Sequence, residues 1–380
     1  MDGLTVVAAV LVIAGLNAQT QDQREPIEIG ERRVVHSRVL GEDRTALIAL
    51  PAGYNRTQER FATLYVLDGG AHFLDVAGLT RVLAARQRMP PVLVVALTNS
   101  NRSRDLTPPS DRLYPSQSRE GGADRLLEFI AEELIPWVES EYRTRPLRLL
   151  AGHSLGGLFG LYTVLEKPGL FRGVITASAS LQYHDQELVR RFDDFLAERQ
   201  DEKISLYMTA GDESSGLVAG NLRLASLLTE KAPPTLQWHF EQMLEETHMT
   251  IPHLTFYRGL ERIFVGWSVV DPVSVYDAGG LEALEEKYAE TRRNFGYGPG
   301  PRTPAFMDWF TQLLYAGRVE EAEELLEQIQ RKDDVPLAAW RILATSFDRA
   351  GDETNAVKYW QRLLELDPDH KGAKDRLSGR

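Results

Sequence analysis

The chain contains no cysteine among its 380 residues. This absence excludes disulfide bonds, thiolate metal sites and a cysteine nucleophile, whereas it does not identify a redox compartment. Basic residues are outnumbered by acidic ones: the chain has 43 lysines and arginines against 55 aspartates and glutamates, which gives a net charge of −12. That acidic balance, without a long basic run, argues against a nucleic-acid-binding protein. Apolar residues make up 43% of the chain, so a mainly disordered protein is excluded as well.

The first residues carry an apolar run that is too short to cross a membrane. Leu4–Leu16 holds thirteen residues without a charge, whereas a spanning helix needs about 20. The run matches the apolar part of a signal peptide over residues 1–18, with Ala18 before the cleavage point, although no basic residue precedes it. The alternative is a first buried strand or helix, which the polar segment that follows disfavours. We therefore expect a periplasmic or secreted protein with no membrane span once the signal is removed.

Apolar strand-like runs alternate with amphipathic stretches from residue 27 to about residue 270. ATLYVL, VLVVAL, RLLA, GVITA, ISLYMT and LQWHF follow two opening segments that resemble an antiparallel pair. Several runs are continuous in valine, isoleucine and leucine, which is typical of strands buried on both faces. Arg125–Tyr142 instead has a four-residue apolar spacing, which indicates a helix. The pattern predicts one α/β domain over residues 27–270, with a mostly parallel eight-stranded sheet covered by helices.

The strand pattern stops after about residue 270, and residues 280–380 are predicted to be helical. Positions in this region recur at an offset of 34 residues: Leu313 with Phe347, Ala316-Gly317 with Ala350-Gly351, Ala322 with Ala356, Leu326 with Trp360, and Ile329 with Leu363. This period favours a tetratricopeptide-like region over a plain pair of helical hairpins. Two units are too few to stack alone. We expect the tail to dock on the α/β domain near its active-site mouth, or to bind a protein partner or another copy of the chain.

The strongest chemical signal is Gly152-His153-Ser154-Leu155-Gly156, which fits the pattern G-x-S-x-G. It follows the strand RLLA and precedes an apolar helix, the context in which a serine on a tight turn becomes a nucleophile. The amino end of that helix offers free N–H groups to a developing negative charge. The alternative is that Ser154 simply caps an ordinary crossover helix. The strand-turn-helix context predicts a catalytic Ser154.

The base of such a site is a histidine that follows the nucleophile and the acid in the chain. His248 lies in the loop after the last predicted strand, where this fold delivers the base. His253 is the alternative, but it follows Pro252, which suits the start of a helix. The spacing therefore predicts His248 as the base.

The acid is expected after the strand ISLYMTA, where the chain reads Gly211-Asp212-Glu213. Only one of the two adjacent carboxylates can face the histidine and hold its tautomer. Glu213 is predicted to be the acid, because its side chain is longer than that of Asp212 and so suits a position one residue further along the turn. Asp212 stays open as the alternative.

The oxyanion hole needs two backbone N–H groups. One is predicted to be that of Leu155, directly after the nucleophile. The other should come from the loop after the third strand, where Gly69 and Gly70 follow Asp68 and let the backbone curl inwards. We predict Gly70, with an uncertainty of one position; the alternative is a plain glycine turn.

These segments together resemble a family. LYVLDGG, the loop Asn101–Pro108, Gly121-Gly122, GHSLGG and ETHMTIP occur in the order seen in the esterase branch of the α/β hydrolases. The likeness over residues 27 to 265 is to its siderophore-esterase-like group, which includes enterochelin and bacillibactin esterases. It implies carboxylic ester hydrolysis. Ser178–Tyr183 departs from the Ser-Pro-Ser-Leu-Trp-Trp pattern of many such enzymes, and the missing tryptophans weaken the expectation of a bulky catecholate ligand.

The predicted function is that of a serine esterase acting on a small-molecule ester, with no metal or organic cofactor. An acyltransferase is the alternative with the same chemistry, and a scaffold that binds a partner through its helical tail is the alternative from another class. Arg102, Arg104, Arg112 and Arg119 lie in the segment that borders the expected site. Unpaired, these four cations would attract an anionic substrate. The preferred interpretation is that their charges pair with carboxylates within a solvated loop.

Overall fold

The computed structural model describes residues 27–109, 121–198, 201–268, 271–298, 304–330 and 335–379. The predicted signal segment and two of the arginines, Arg112 and Arg119, lie outside the described residues. No helix in the described ranges has the length and apolar character needed to cross a membrane.

Eight strands form one sheet in the order β1-β2-β4-β3-β5-β6-β7-β8. They are β1 (Glu31–Ser37), β2 (Glu42–Ala49), β3 (Phe61–Val66), β4 (Val92–Leu97), β5 (Thr144–His153), β6 (Gly173–Ala177), β7 (Ile204–Gly211) and β8 (Leu236–Met243). The pairs β1–β2 and β2–β4 are antiparallel and every other pair is parallel. The predicted eight-stranded, mostly parallel sheet with an antiparallel opening pair is therefore confirmed.

Helices cover both faces of this sheet. The helices that follow or connect its strands are α1 (Gly69–Ala85), α2 (Arg102–Leu106), α3 (Ala123–Phe129), α4 (Ile135–Glu141), α5 (Leu155–Glu166), α6 (Glu187–Ala197), α7 (Ser215–Lys231) and α8 (Ile251–Ile263). One apolar core lies between the sheet and α3 to α7, and a second lies between the sheet and α1 with α8. The continuous valine and isoleucine runs of the central strands reflect this burial on both faces.

The helix predicted over Arg125–Tyr142 is interrupted in the middle by a π-helical turn, Ile130–Leu134, between α3 and α4. The four residues that predicted its buried stripe, Leu126, Ile130, Leu134 and Val138, are all buried. The apolar spacing therefore predicted the buried face, whereas the extra residue of the π turn left no mark in the pattern.

A buried ion pair ties the loop after β4 to the antiparallel edge of the sheet. Arg44 on β2 donates to Asp105 on α2 at 2.7 Å, and both side chains are 1% exposed. Arg104 also donates to Asp105, at 2.7 Å, and pairs with Glu42. Arg104, one of the arginines that could have faced either a substrate or neighbouring charges, is thus paired with carboxylates.

The C-terminal helices form a tail with its own core. Its helices are α9 (Pro272–Phe295), α10 (Pro304–Tyr315), α11 (Val319–Gln330), α12 (Leu337–Ala350), α13 (Glu353–Leu366) and α14 (Lys371–Leu377). Of the positions that recur every 34 residues, three pairs are buried in that core: Leu313 with Phe347, Ala322 with Ala356, and Leu326 with Trp360. Gly317 and Gly351 end α10 and α12 with φ near +75° and +77°, a conformation that favours glycine. Domain boundaries at residues 270 and 280 stay predictions.

The tail docks on the α/β body, residues 27–268, through the end of α9. Trp267 packs against Phe295 and Tyr297, with ring centroids 5.8 and 5.2 Å apart, and Thr291 donates to the Gly266 carbonyl at 2.8 Å. The Arg145 guanidinium lies 4.4 Å from the Tyr297 ring. Since Arg145 is at the amino end of β5, this contact is on the side opposite the carboxyl ends of the parallel strands. The tail was expected to dock near the active-site mouth, and for the contact made at the end of α9 this expectation is wrong.

Replacing Asp105 with asparagine should lower the free energy of unfolding by about 1.5–3 kcal/mol, because it removes the buried carboxylate that pairs with Arg44 and leaves that buried charge only the partly exposed Glu42 as a carboxylate partner. Chemical denaturation at neutral pH measures the change. Asp43 is the matched control: it lies one residue from Arg44, pairs with His36 and is 67% exposed. Asp43→Asn should change stability by less than about 0.5 kcal/mol. Equal effects of the two substitutions would contradict this role of the buried pair.

Ending the chain after residue 268 should lower the thermal midpoint of the α/β body by several degrees. The reason is that Trp267, 7% exposed in the full chain, would lose its aromatic partners Phe295 and Tyr297. Differential scanning calorimetry compares this chain with one that ends after residue 298 and keeps Phe295 and Tyr297. If the shorter chain were as heat-stable as the longer one, the docking contact would contribute nothing to stability.

Candidate active site

Ser154 lies on a sharp turn between β5 and α5, with φ 59° and ψ −114°. A non-glycine residue with positive φ is strained and persists only where its surroundings hold it. The strand and the helix pass very close at this turn: a Cβ on Gly152 would come within 2.3 Å of the Gly156 carbonyl oxygen. The Ser154 N–H is bound by the Ala177 carbonyl at 2.9 Å. Glycine at position 152 and the neighbouring strand β6 therefore make this turn possible.

His248 and Glu213 form a contact at the same edge of the sheet. The His248 Nδ1 atom lies 3.1 Å from Glu213 Oε1. The Glu213 side chain is 2% exposed, whereas that of His248 is 32% exposed and reaches the solvent. Glu213 follows β7 and His248 follows β8, and these two strands are parallel neighbours. A buried carboxylate thus holds one nitrogen of an accessible imidazole, which leaves the other nitrogen for a proton transfer.

The two alternatives that the sequence left open lie elsewhere. Asp212 is exposed, and its backbone N–H is bound by the Glu246 carbonyl at 2.7 Å. His253 is an exposed residue in the first turn of α8, directly after Pro252. The pair of side chains that the structure brings together is therefore Glu213 and His248.

An open cleft of about 560 Å³ contains the candidate nucleophile and base. Ser154 and His248 both line it, together with Gly70 from the amino end of α1. The first turns of α1 and α5 thus meet at one place, and each carries N–H groups that make no bond within its own helix. Such groups stabilise a negative charge on a substrate oxygen. The positions of Gly70 and of Leu155, which follows Ser154, suit the predicted pair of oxyanion donors.

The turn after β6 supplies two hydroxyl groups that the sequence pattern did not single out as site residues. Ser178 donates to Glu213 Oε1 at 2.5 Å, and Ser180 Oγ lies 3.1 Å from Ser154 Oγ. Ser178 has φ 44°, which is another strained non-glycine conformation. The sequence held two signals for them: their position after a parallel strand, and the match of both serines to the Ser-Pro-Ser-Leu-Trp-Trp pattern of similar enzymes.

A second histidine packs against the candidate base, and a third packs against that second one. His153 lies with its ring centroid 4.5 Å from that of His248, and His72 lies 5.9 Å from His153. Burial, followed by the neighbouring imidazoles, lowers the pKa of His153 to about 4. His153 is therefore uncharged at neutral pH and packs beside His248 without repelling it. Among the described residues, no three histidine, aspartate or glutamate side chains are arranged to hold a metal ion.

Asp68 and Arg102 connect three loops around the cleft. Arg102 donates to both carboxylate oxygens of Asp68, at 2.7 and 3.0 Å, and to the His153 carbonyl at 3.2 Å. Asn99 donates to the same carboxylate at 2.5 Å. Asp68 is 5% exposed and precedes α1. The Arg102 charge is thus already paired, and the pair holds the start of α1 beside the turn that carries Ser154.

Comparison with known proteins gives the same family at the levels of sequence and structure. The family model described as "Putative esterase" matches residues 37–240. The ferri-bacillibactin esterase BesA of Bacillus subtilis is 29% identical over 185 residues, which cover 43% of this chain and 61% of that protein. The siderophore enterobactin esterase of Emericella nidulans is 35% identical over 155 residues, which cover 34% of this chain and 50% of that protein. The chain thus spans less than two thirds of the length of these curated relatives.

The fold also matches solved structures. An IroE-like serine hydrolase from Shewanella oneidensis is 28% identical, has a TM-score of 0.66, and is covered over 99% of its own chain and 80% of this one. An uncharacterised protein from Capnocytophaga ochracea shares the fold over 88% of this chain, with a TM-score of 0.63 and 17% identity. The sheet, its helices and these neighbours identify an α/β-hydrolase fold. Because the family model covers more than half of the 380 residues, the chain belongs to the putative esterase family.

Proposed function

We propose that the protein is a carboxylic ester hydrolase in which Ser154, His248 and Glu213 act as nucleophile, base and acid. The observation that carries the proposal is the 3.1 Å contact between Glu213 and His248 beside a cleft that also contains Ser154 on a strained turn. Membership of an esterase family supports the same chemistry. The fold brings these three side chains from the ends of β5, β7 and β8 to one edge of the sheet.

In the proposed reaction, Ser154 Oγ attacks the ester carbonyl carbon while its proton passes to His248. Glu213 holds the imidazole in the required tautomer and stabilises the imidazolium that forms. The N–H groups of Gly70 and Leu155 bind the oxyanion. His248 then gives its proton to the leaving alcohol, and an acyl-enzyme remains on Ser154. Water, deprotonated by His248, attacks the acyl carbon, and the Ser154 oxygen departs and recovers a proton.

The substrate class that we propose is a small-molecule ester, and siderophore esters are the first candidates to test. The relatives named as siderophore and ferri-bacillibactin esterases support this choice. The cleft is open and is lined by Asn99, Arg102, His72 and Met249 besides Ser154 and His248. A screen over acyl length, feruloyl esters and siderophore esters, with and without bound iron, distinguishes these substrates.

Two further parts of the proposal concern the ends of the chain. The equivalent buried positions in α10 with α11 and in α12 with α13 support a tetratricopeptide-like tail. Such a tail suits a protein partner or self-association as a second function, and size-exclusion chromatography of the full chain measures self-association. The apolar run Leu4–Leu16 supports export to the periplasm or the medium.

Ser154→Ala should lower kcat for a chromogenic short-chain ester by about 10⁴-fold or more, because the acyl-enzyme can no longer form. Steady-state kinetics on the purified variant measures the loss, and circular dichroism confirms that the variant is folded. Near-normal turnover by a folded Ser154→Ala protein would overturn the proposed function.

Two pairs of neighbours make matched tests of the base and the acid. His248→Ala should lower kcat by about 10⁴-fold, whereas the exposed His253→Ala should leave it nearly unchanged. Glu213→Gln should lower kcat by at least about tenfold, because the His248 tautomer is no longer held, while Asp212→Asn should have little effect. Initial-rate measurements of all four variants give the ranking. The reverse order within either pair would assign that role to the other residue.

A further inference from the structure

Ser180 lies within hydrogen-bond distance of the proposed nucleophile, and the proposed reaction gives it no role. Its Oγ is 3.1 Å from Ser154 Oγ, and this is the only hydrogen bond of the Ser154 hydroxyl within the described part of the chain. The backbone reinforces the contact, since the Ser180 N–H donates to the Ser154 carbonyl at 3.0 Å. Ser180 is 5% exposed. Leaving a buried hydroxyl without its partner would be costly, so the contact is a stable feature of the resting site.

The turn that carries Ser180 is held in place by the helix behind it. Asn221 on α7, fully buried, donates to the Ala179 carbonyl at 2.8 Å. A Cβ on Gly220 would come within 2.7 Å of Leu181, so α7 packs directly against the turn. These contacts fix the Ser180 side chain beside Ser154 before any substrate binds. A preorganised donor of this kind needs no rearrangement during the reaction.

We propose that Ser180 is a further catalytic residue, whose hydroxyl donates a hydrogen bond to Ser154 Oγ whenever that oxygen carries negative charge. This inference rests on the proposed function. For the first step the Ser154 proton must point towards His248, so the proton between the two serines comes from Ser180. The bond strengthens as Ser154 loses its proton, because hydrogen bonds to charged oxygens are stronger than those between neutral groups.

The same donor acts again when the acyl-enzyme breaks down. The bond between the acyl carbon and Ser154 Oγ breaks, its electron pair stays on Oγ, and His248 returns a proton to that oxygen. A hydroxyl that donates to Oγ stabilises the charge that develops there before the proton arrives. Ser180 therefore assists the attack and the departure of the same atom, while Gly70 and Leu155 assist the carbonyl oxygen.

Ser180→Ala tests the proposal, since it removes one oxygen and adds no bulk. We expect kcat for a chromogenic ester to fall roughly 10- to 100-fold, the factor that corresponds to one hydrogen bond to a charged group, with KM nearly unchanged. Stopped-flow measurements should show that the acylation and deacylation rate constants both fall. Inactivation by a fluorophosphonate, which requires attack by Ser154 but no deacylation, should slow by a similar factor. The thermal midpoint should remain near that of the unaltered protein.

Ser180→Thr keeps the hydroxyl and should restore most of the activity if the added methyl group is accommodated. If the threonine variant does not fold, the alanine variant and the fluorophosphonate rate decide alone. An unchanged or faster reaction of folded Ser180→Ala would overturn the assignment of Ser180. If Ser154→Ala instead retains turnover, the proposed function fails first, so the two failures are distinguishable.

Discussion

The close approach of β5 and α5 at Gly152 is the constraint on which the rest of the site depends. A side chain at this position would meet the Gly156 carbonyl, so only glycine permits the turn that gives Ser154 its φ of 59°. The strain of this turn is offset by its neighbours, because Ser154 is bound through its N–H to Ala177 and through its carbonyl to Ser180. The elements around the turn therefore act together, and the half-buried serine lines the cleft because the strand and the helix pass close behind it.

The parallel part of the sheet converts distant stretches of sequence into one site. Strands β3, β5, β6, β7 and β8 run in the same direction, so the residues that follow them, from Asp68 to His248, emerge at one edge. Each loop then contributes one kind of group: N–H donors beside α1, a hydroxyl after β5, two more hydroxyls after β6, a carboxylate after β7 and an imidazole after β8. Tyr297, which follows α9, packs on Arg145 at the amino end of β5, so this contact of the tail lies on the side of the sheet opposite the cleft.

Most of the fold was predictable from the sequence, because strands that are buried on both faces of a sheet consist of continuous apolar runs. The strands β3 and β4 were identified to within about one residue in this way. The choice between Asp212 and Glu213 was not decidable from spacing, since adjacent residues in a loop differ only in which one the backbone turns inwards. Ser178 and Ser180 were missed for a related reason. Their contacts depend on the register between β5 and β6 and on a positive φ at Ser178, and neither leaves a periodic mark in the sequence.

His153 packs beside His248, and His72 packs in turn against His153. His153 and His72 both have a lowered pKa, caused first by burial, so they remain uncharged at neutral pH. The ring of His153, with its centroid 4.5 Å from that of His248, restricts the rotation of the candidate base without adding a charge beside it. The Arg102 charge nearby is paired with Asp68. In the proposed reaction, the charge that forms on His248 therefore faces the Glu213 carboxylate and meets no unpaired cation among these neighbours.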